Sequence, residues 1–529
     1  MFLRCVRVLI VLTALACQSA FFMNAQSARA AGGTPTPQPS ATPFARPDSP
    51  AASAASSAPG TVVWSKDIQL SSLGMFAGAP AIAADSAGAV HAIWSEREAR
   101  MKIAAEGAYF MYARFDGENW TRPVDVLTSS ADDGVEAPSL AYTPDGFLHA
   151  VWSTGTRDSQ LLYARAPACC ADKARNWSKP IVLGLAPTQT TNVIADQKGR
   201  LHVAFASLET SDIEYMRSDD SGLTWQLRRI VQGKVRVGDE NAVYPRIAVD
   251  GQGRVHMVWT LYPWPGVYAL YTRSDDGGAT WTEPQIIDRA DSNAYVNDQY
   301  GPTYISVYAT TNPQGVDRVH LIWDGAPTVE RNYIYSDDGG KTWSNRYIAF
   351  SEITKAGRAG YNPLLMDSAG TLHATAFWYY STWLGSGWSP VSTRFIDVSS
   401  AEEGASVLTM GNRLNVIWQG KYSDAGVPTT VSFAWGLTSA PTVPAKPLPE
   451  VPHDISTLQP IAYGPRPTAD TSSTQIARIT KPTPMAIVIN PVSTPANYNP
   501  LNVALLGIVP LALVVVGIIA FRLLWTRRT

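Results

Sequence analysis

One frame recurs along residues 61–438, and it constrains the fold more than any other feature of the chain. Its clearest copy begins at Tyr244: Pro245-Arg246-Ile247-Ala248-Val249-Asp250, then Gly253-Arg254-Val255-His256-Met257-Val258-Trp259, then Leu270-Tyr271-Thr272-Arg273-Ser274, then Trp281-Thr282-Glu283-Pro284. Each piece is short, apolar-rich and bounded by Gly, Asp or Pro, which predicts four strands joined by turns. The second strand carries His91, His149, His202, His256, His320 and His373, with Asn415 in that place in a seventh copy. Three residues on stand Trp94, Trp152, Phe205, Trp259, Trp323, Ala376 and Trp418. The fourth strand is expected to open with Trp120, Trp177, Trp225, Trp281, Trp343 and Trp388. The seventh copy stops at Phe433–Leu437 without a fourth strand, while Trp64-Ser65-Lys66-Asp67-Ile68 stands alone ahead of the first copy and matches Trp177-Ser178-Lys179-Pro180-Ile181.

A four-stranded sheet with free edges and faces is marginal alone, and setting such sheets radially buries face against face. The detached Trp64 segment then supplies the missing outer strand of the last sheet and latches the ring. The fold class is therefore all-β, a seven-bladed β-propeller over residues 61–438; six blades is the alternative if one weak copy is an insertion.

The flanks set the compartment. Residues 1–30 read as a signal peptide: Arg4 and Arg7, a mostly apolar run, then Ala28-Arg29-Ala30. Residues 31–60 are an Ala/Ser/Pro-rich linker and 439–500 a Pro/Thr-rich stalk, both too poor in large apolar groups to build a core. Residues 501–521 are almost unbroken apolar sequence, about 31 Å as a helix and so one membrane span. Arg522, Arg527 and Arg528 in the tail, 522–529, put that end in the cytoplasm and the propeller outside. A net charge of −2, with only 16% charged residues, excludes a basic nucleic-acid binder. Of the four Cys, Cys5 and Cys17 lie in the signal; Cys169 and Cys170, adjacent, either close a disulfide or stay free, and no metal quartet or cofactor motif is present.

Three third-to-fourth connections share one motif: Ser218-Asp219-Asp220-Ser221-Gly222-Leu223-Thr224-Trp225, Ser274-Asp275-Asp276-Gly277-Gly278-Ala279-Thr280-Trp281 and Ser336-Asp337-Asp338-Gly339-Gly340-Lys341-Thr342-Trp343. These resemble the Asp boxes (bacterial neuraminidase repeats) of the sialidase superfamily, and decayed versions end at Trp120 and Trp388. The resemblance covers the propeller alone. Asp accepts bonds from turn N–H groups, Gly supplies positive φ, and Trp fills the gap between sheets. The resemblance implies that the boxes are structural, on the face opposite the ligand, so their Asp residues are not catalytic acids.

Repeat-equivalent residues are scaffold. Six of the seven His hold one frame position, which disfavours a His-based triad or metal site. The remaining candidates lie on second-to-third and fourth-to-first loops. Leu261-Tyr262-Pro263-Trp264-Pro265-Gly266 and Tyr379-Tyr380-Ser381-Thr382-Trp383 are read as second-to-third loops whose aromatic faces suit sugar rings. Ser95-Glu96-Arg97-Glu98-Ala99-Arg100 is read as a solvated, salt-bridged loop. Arg246 is the most informative residue: it sits on an innermost strand where other copies have Ala81, Ser139 and Leu364, and a charge there needs a partner or a ligand. Tyr244-Pro245-Arg246-Ile247 partly resembles the Phe/Tyr-Arg-Ile-Pro segment of sialidases, whose Arg helps bind the substrate carboxylate; here it falls in the fourth copy and Ala248 replaces the Pro.

A sialidase needs three convergent Arg, a Tyr nucleophile assisted by a Glu, and an Asp acid. Arg157, Arg331 and Arg358 lie in suitable loops, as do Tyr300, Glu136, Glu209, Glu240, Asp133 and Asp298. The expected ligand set is Arg246, Tyr244, Trp264, Tyr262, Trp383, Tyr300, Arg331 and Arg358. The function read from the sequence is a membrane-anchored head that recognises a glycan or glycoprotein, without a cofactor. An exo-acting sialidase-like glycosidase and a structural envelope protein are the alternatives.

Overall fold

The computed structural model describes residues 62–451 except 99–107, 129–133, 155–158, 186–190, 208–211, 230–240, 263–266, 291–301, 312–314, 326–330, 351–362, 377–378, 394–400 and 421–427. These residues form seven antiparallel sheets, six of them ordered first to fourth strand by chain position. The innermost strands are Met75–Ala84, Glu136–Tyr142, Thr191–Ala195, Asn241–Val249, Thr303–Thr311, Leu364–Met366 and Ala401–Thr409. Each packs against the next, and the last packs against the first, so the blades close into a ring around a hub. Seven sheets, rather than six, agree with the repeat.

Ring closure follows the sequence reading. Blade 7 supplies Ala401–Thr409, Arg413–Gly420 and Thr430–Leu437. Its outer strand comes from the start of the propeller: Val63 pairs with Leu437, Trp64 with Gly436, and Ile68 with Phe433. The ends are thus joined by backbone hydrogen bonds, such as Ser65 N to Trp435 O at 2.8 Å.

The frame aromatics join neighbouring blades. Trp177 meets Tyr112 of the preceding blade edge-on, and the same contact links Trp225 to Tyr163, Trp281 to Tyr215, Trp343 to Tyr271, Trp388 to Tyr333, Trp64 to Tyr380 and Trp120 to Phe433. Centroids lie 4.8–6.3 Å apart and planes cross at 71–88°, the geometry that the ring quadrupole favours. Within each of the first six blades the frame His orients that Tyr: His256 Nδ1 lies 2.8 Å from Tyr271 Oη, and its Nε2 3.1 Å from Asp250. Blade 7 replaces both partners together, with Asn415 for the His and Phe433 for the Tyr. Phe has no hydroxyl to orient.

Two expectations need correction. In blades 1, 2, 4, 5 and 6 the fourth strand starts four residues after the Trp, as at Gln285 after Trp281. The Trp closes the turn instead, and in blades 1, 2 and 4 a Pro (Pro123, Pro180, Pro284) stands directly before the strand, where it cannot donate to the ladder. Only in blade 3 does the strand, Gln226–Arg229, follow its Trp directly. Second, Ser95–Glu98 is not a solvated loop but the end of strand Val90–Glu98. Glu96 is buried there and accepts hydrogen bonds from Trp94 Nε1 (2.8 Å) and Ser72 N (2.9 Å).

Residues 439–451 are described with the propeller and lie against its first-to-second turns. Cys169 and Cys170 are joined as a disulfide in the longer third-to-fourth connection of blade 2. Among the described residues no helix is long and apolar enough to cross a membrane. The apolar stretch 501–521, the signal 1–30 and the linker 31–60 lie outside them.

Candidate functional site

Antiparallel connection puts the first-to-second and third-to-fourth turns on one face of the ring and the other two kinds on the opposite face. The Asp boxes hold the first of these faces together. Asp220 Oδ1 accepts from Thr224 N and Ser218 Oγ, both at 2.8 Å, and Asp220 Oδ2 accepts from Thr224 Oγ1 at 2.6 Å. Asp276 and Asp338 repeat the pattern with Thr280 and Thr342. Partial burial pushes Asp276 up, but the hydrogen bonds from Thr280 and Ser274 outweigh it and bring it to about 2. Gly222, Gly278 and Gly340 take positive φ at the turn, and a Cβ on Gly278 would lie 2.3 Å from Tyr215 Oη. These carboxylates are consumed by their own turns and are acceptors, not acids.

The hub is built differently. Where the innermost strands converge, they leave a small cavity of about 30 Å³ that is partly open to solvent. Ala81, Ser139, Thr191, Asn192 and Arg246 are among the residues lining it, and among the described residues Arg246 is the one charged side chain that does so. Its residue is 4% exposed, and Nη1 donates to Pro245 O at 2.7 Å. Register from the frame His puts Ala81, Ser139, Asn192, Arg246, Ser306 and Ala405 at one equivalent position. There Ser139 Oγ accepts from Val193 N (3.0 Å) and Asn192 Oδ1 from Ile247 N (2.9 Å), each tying its blade to the next. A guanidinium has no acceptor atom, so Arg246 cannot continue this belt. It places a donor-only fork in the cavity where blades 2 and 3 place acceptors.

The innermost strands of blades 1, 2, 4, 5 and 7 also carry a bulge just ahead of this position. Ala79, Ala137, Tyr244 and Tyr304 take left-handed φ there, at 46°, 44°, 55° and 51°. For two tyrosines that conformation is strained, and such strain gathers at functional sites. Their rings pack together, centroids 4.7 Å apart. The hub is therefore asymmetric, with small Ala on blades 1 and 2 and a tyrosine pair on blades 4 and 5.

Other expected residues scatter. Arg331 is 2% exposed at the start of a third strand, its Nε 2.9 Å from Asp324. Burial pulls its guanidinium down, while Asp324 raises it. Arg331 is thus engaged within blade 5. Tyr262 ends the second strand of blade 4, half-buried and paired with Asn241. Glu136 opens the innermost strand of blade 2, half-buried; burial pushes its carboxyl up, against the opposing charge of Arg97. Trp383 is on the wrong face. Tyr379–Thr382 is a third strand, not a loop, and Trp383 bridges to Trp388 in the third-to-fourth turn. It fills the box position that Asp220 holds in blade 3 and packs on Tyr347 at 4.9 Å. Trp264, Tyr300 and Arg358 lie outside the described residues, as do Arg157, Glu209, Glu240, Asp133 and Asp298.

Asn192, Thr191 and Tyr304 were not singled out from sequence. Counting from the frame His would have found Asn192, since it faces His202+2 as Arg246 faces His256+2. Among the described residues no group of three or more His, Cys, Asp or Glu is placed to hold a metal ion.

Among solved structures, a protein of unknown function from Dyadobacter fermentans is 14% identical with a TM-score of 0.42, over 71% of this chain and 99% of that one. A Trypanosoma rangeli sialidase is 14% identical with a TM-score of 0.41, over 68% of this chain and 55% of that one. An α-L-arabinofuranosidase from Fusarium graminearum is 12% identical with a TM-score of 0.38, over 68% and 92% respectively. No curated protein sequence matches this chain. The model of the BNR repeat-like domain matches residues 95–373, from the second strand of blade 1 to that of blade 6. The repeat, the boxes and this match over more than half of the chain agree: the protein belongs to the BNR repeat-like domain family.

Proposed function

We propose that the propeller is a recognition head, held outside a membrane by residues 501–521, and that its hub binds an acidic glycan. The observation that carries this reading is Arg246, a buried guanidinium on the cavity wall at a position that is Ala, Ser or Asn in five of the other blades. A guanidinium matches a carboxylate in fork geometry. The neighbouring Tyr244–Tyr304 pair supplies the apolar plane on which a sugar ring stacks. Binding without turnover is favoured over sialidase chemistry because Arg331, one of the expected partners of Arg246, is engaged with Asp324. The test is a glycan array probed with the full chain in detergent micelles. Capture of carboxylate-bearing glycans, lost in Arg246→Ala, supports the reading; capture that survives Arg246→Ala overturns it.

A second reading, an exo-acting glycosidase, rests on Glu136. Its raised carboxyl pKa at the start of an innermost strand suits a proton donor. Release of fluorophore from a fluorogenic sialoside, abolished in Glu136→Gln, would establish it in place of binding alone.

A further inference from the structure

The ring has one seam that the chain does not cross in sequence, inside blade 7, between its strand Thr430–Leu437 and the Trp64 segment that leads on into blade 1. The Trp64 segment closes it at the rim. A second element crosses it on the Asp-box face. After Leu437 the chain turns back under the blades. Asn412 Nδ2, in the first-to-second turn of blade 7, donates to Ala440 O (3.2 Å) and Thr442 Oγ1 (3.1 Å), and Val443 N donates to Met410 O (2.8 Å). Ser368 Oγ, in the matching turn of blade 6, donates to Pro441 O. Lys446 N then donates to Ser86 O of blade 1 at 2.7 Å. Beyond it, Leu448 packs on the apolar cluster between blades 1 and 2, and Pro449 covers Gly146 in the turn of blade 2. Four consecutive blades, 6, 7, 1 and 2, are tied by twelve residues, 440–451.

We propose that residues 440–451 are a strap that locks ring closure, and that they belong to the folding unit rather than to the stalk. Residues 452–529 continue from Val451, so load on this extension reaches the strap before it reaches the last strand of blade 7. A lock of this kind suppresses opening at the seam and leaves the far blades unaffected.

Hydrogen exchange with mass spectrometry, on the full chain in detergent micelles, tests it. Two variants release the strap: Lys446→Pro removes the N–H that reaches Ser86, and Asn412→Ala removes both contacts to Ala440 and Thr442. Lys446→Ala keeps the N–H and serves as the control. In both releasing variants the seam amides of Ser65 and Leu70 exchange about tenfold faster, while Val193 and Ile247 in blades 3 and 4 stay within about twofold. Unchanged seam amides in a variant whose Val443 amide is freed would overturn the proposal, and so would uniform acceleration in all blades. Should Lys446→Pro not fold, Asn412→Ala gives the same readout with the backbone intact.

Discussion

The Trp64 indole meets the Tyr380 ring edge-on, with centroids 5.7 Å apart and planes at 72°. Tyr380 belongs to blade 6 and Trp64 to the strand that completes blade 7, so this contact is the same blade-to-blade clasp that every other seam has. It shows that the detached strand replaces a whole structural role, not only a row of hydrogen bonds. Trp64→Ala is expected to lower stability by about 2–4 kcal/mol. Val63→Ala, at a residue that is 62% exposed, should cost less than about 0.5 kcal/mol. Urea unfolding midpoints of the two variants decide it; equal costs would mean that backbone pairing alone closes the ring.

Gly278→Ala puts a Cβ against Tyr215 Oη and forces Ala to φ +94°. The expected cost is about 2–4 kcal/mol, from overpacking and backbone strain together. Adding Tyr215→Phe should recover only a small part of it, since the hydroxyl contact goes while the ring-carbon contacts at 2.4 and 2.5 Å and the φ strain stay. Additive costs in the double-mutant cycle would show that the two sites do not touch in solution.

His320 is buried between Thr310 Oγ1 (2.9 Å) and Tyr333 Oη (2.7 Å), without the Asp that partners His256. Burial first, and then the Arg318 charge, pull its pKa down from 6.5 to about 3. The folded pKa is below the unfolded one, so between pH 3 and 6.5 the unfolded chain binds one more proton at this site. Stability falls as pH drops through that window and is unaffected above it. The pair His320→Asn with Tyr333→Phe, which copies Asn415 and Phe433, should flatten the acid limb by about 1.4 kcal/mol per pH unit. Chemical denaturation at pH 4.5, 5.5 and 7.5 measures the slope, and an unchanged slope would rule out His320 as a contributor.

Tyr244 holds φ 55° while its ring packs, tilted, against that of Tyr304. Tyr244→Gly relieves about 1–2 kcal/mol of backbone strain and gives up a ring contact worth about 1 kcal/mol. Its stability should therefore stay within about 1 kcal/mol of the parent while glycan capture at the hub falls at least about tenfold. Binding retained at parental affinity would remove the tyrosine pair from the proposed site.

The scaffold was legible because it is periodic. His256, Trp259, Tyr271 and Trp281 recur at near-constant spacing, and each does a local job: orienting a hydroxyl, filling a blade, or closing a turn on the blade before. The reading failed where a copy broke its own rule. Trp383 stands where Asp220 would, so an aromatic-rich third strand read as a ligand loop and the wrong face was chosen. Glu96 read as solvated because its partner, the Trp94 indole N–H, is two residues away along a strand that turned out to be longer. Arg331 was legible as a charge but not as one half of a pair with Asp324.

What the sequence determined by itself is the ring: the repeat, the number of blades, the structural Asp boxes and the displaced closing strand all follow from short-range patterns of burial and turn chemistry. What only the tertiary structure decided is the hub and the strap. Ser139, Asn192 and Arg246 are far apart in the chain and meet because three innermost strands converge. Residues 440–451 look like the rest of a Pro-rich linker until their backbone groups find partners on the turns of blades 7 and 1. Neither relationship has a period, and side chains that meet only through the closure of the ring leave no local signal in the chain.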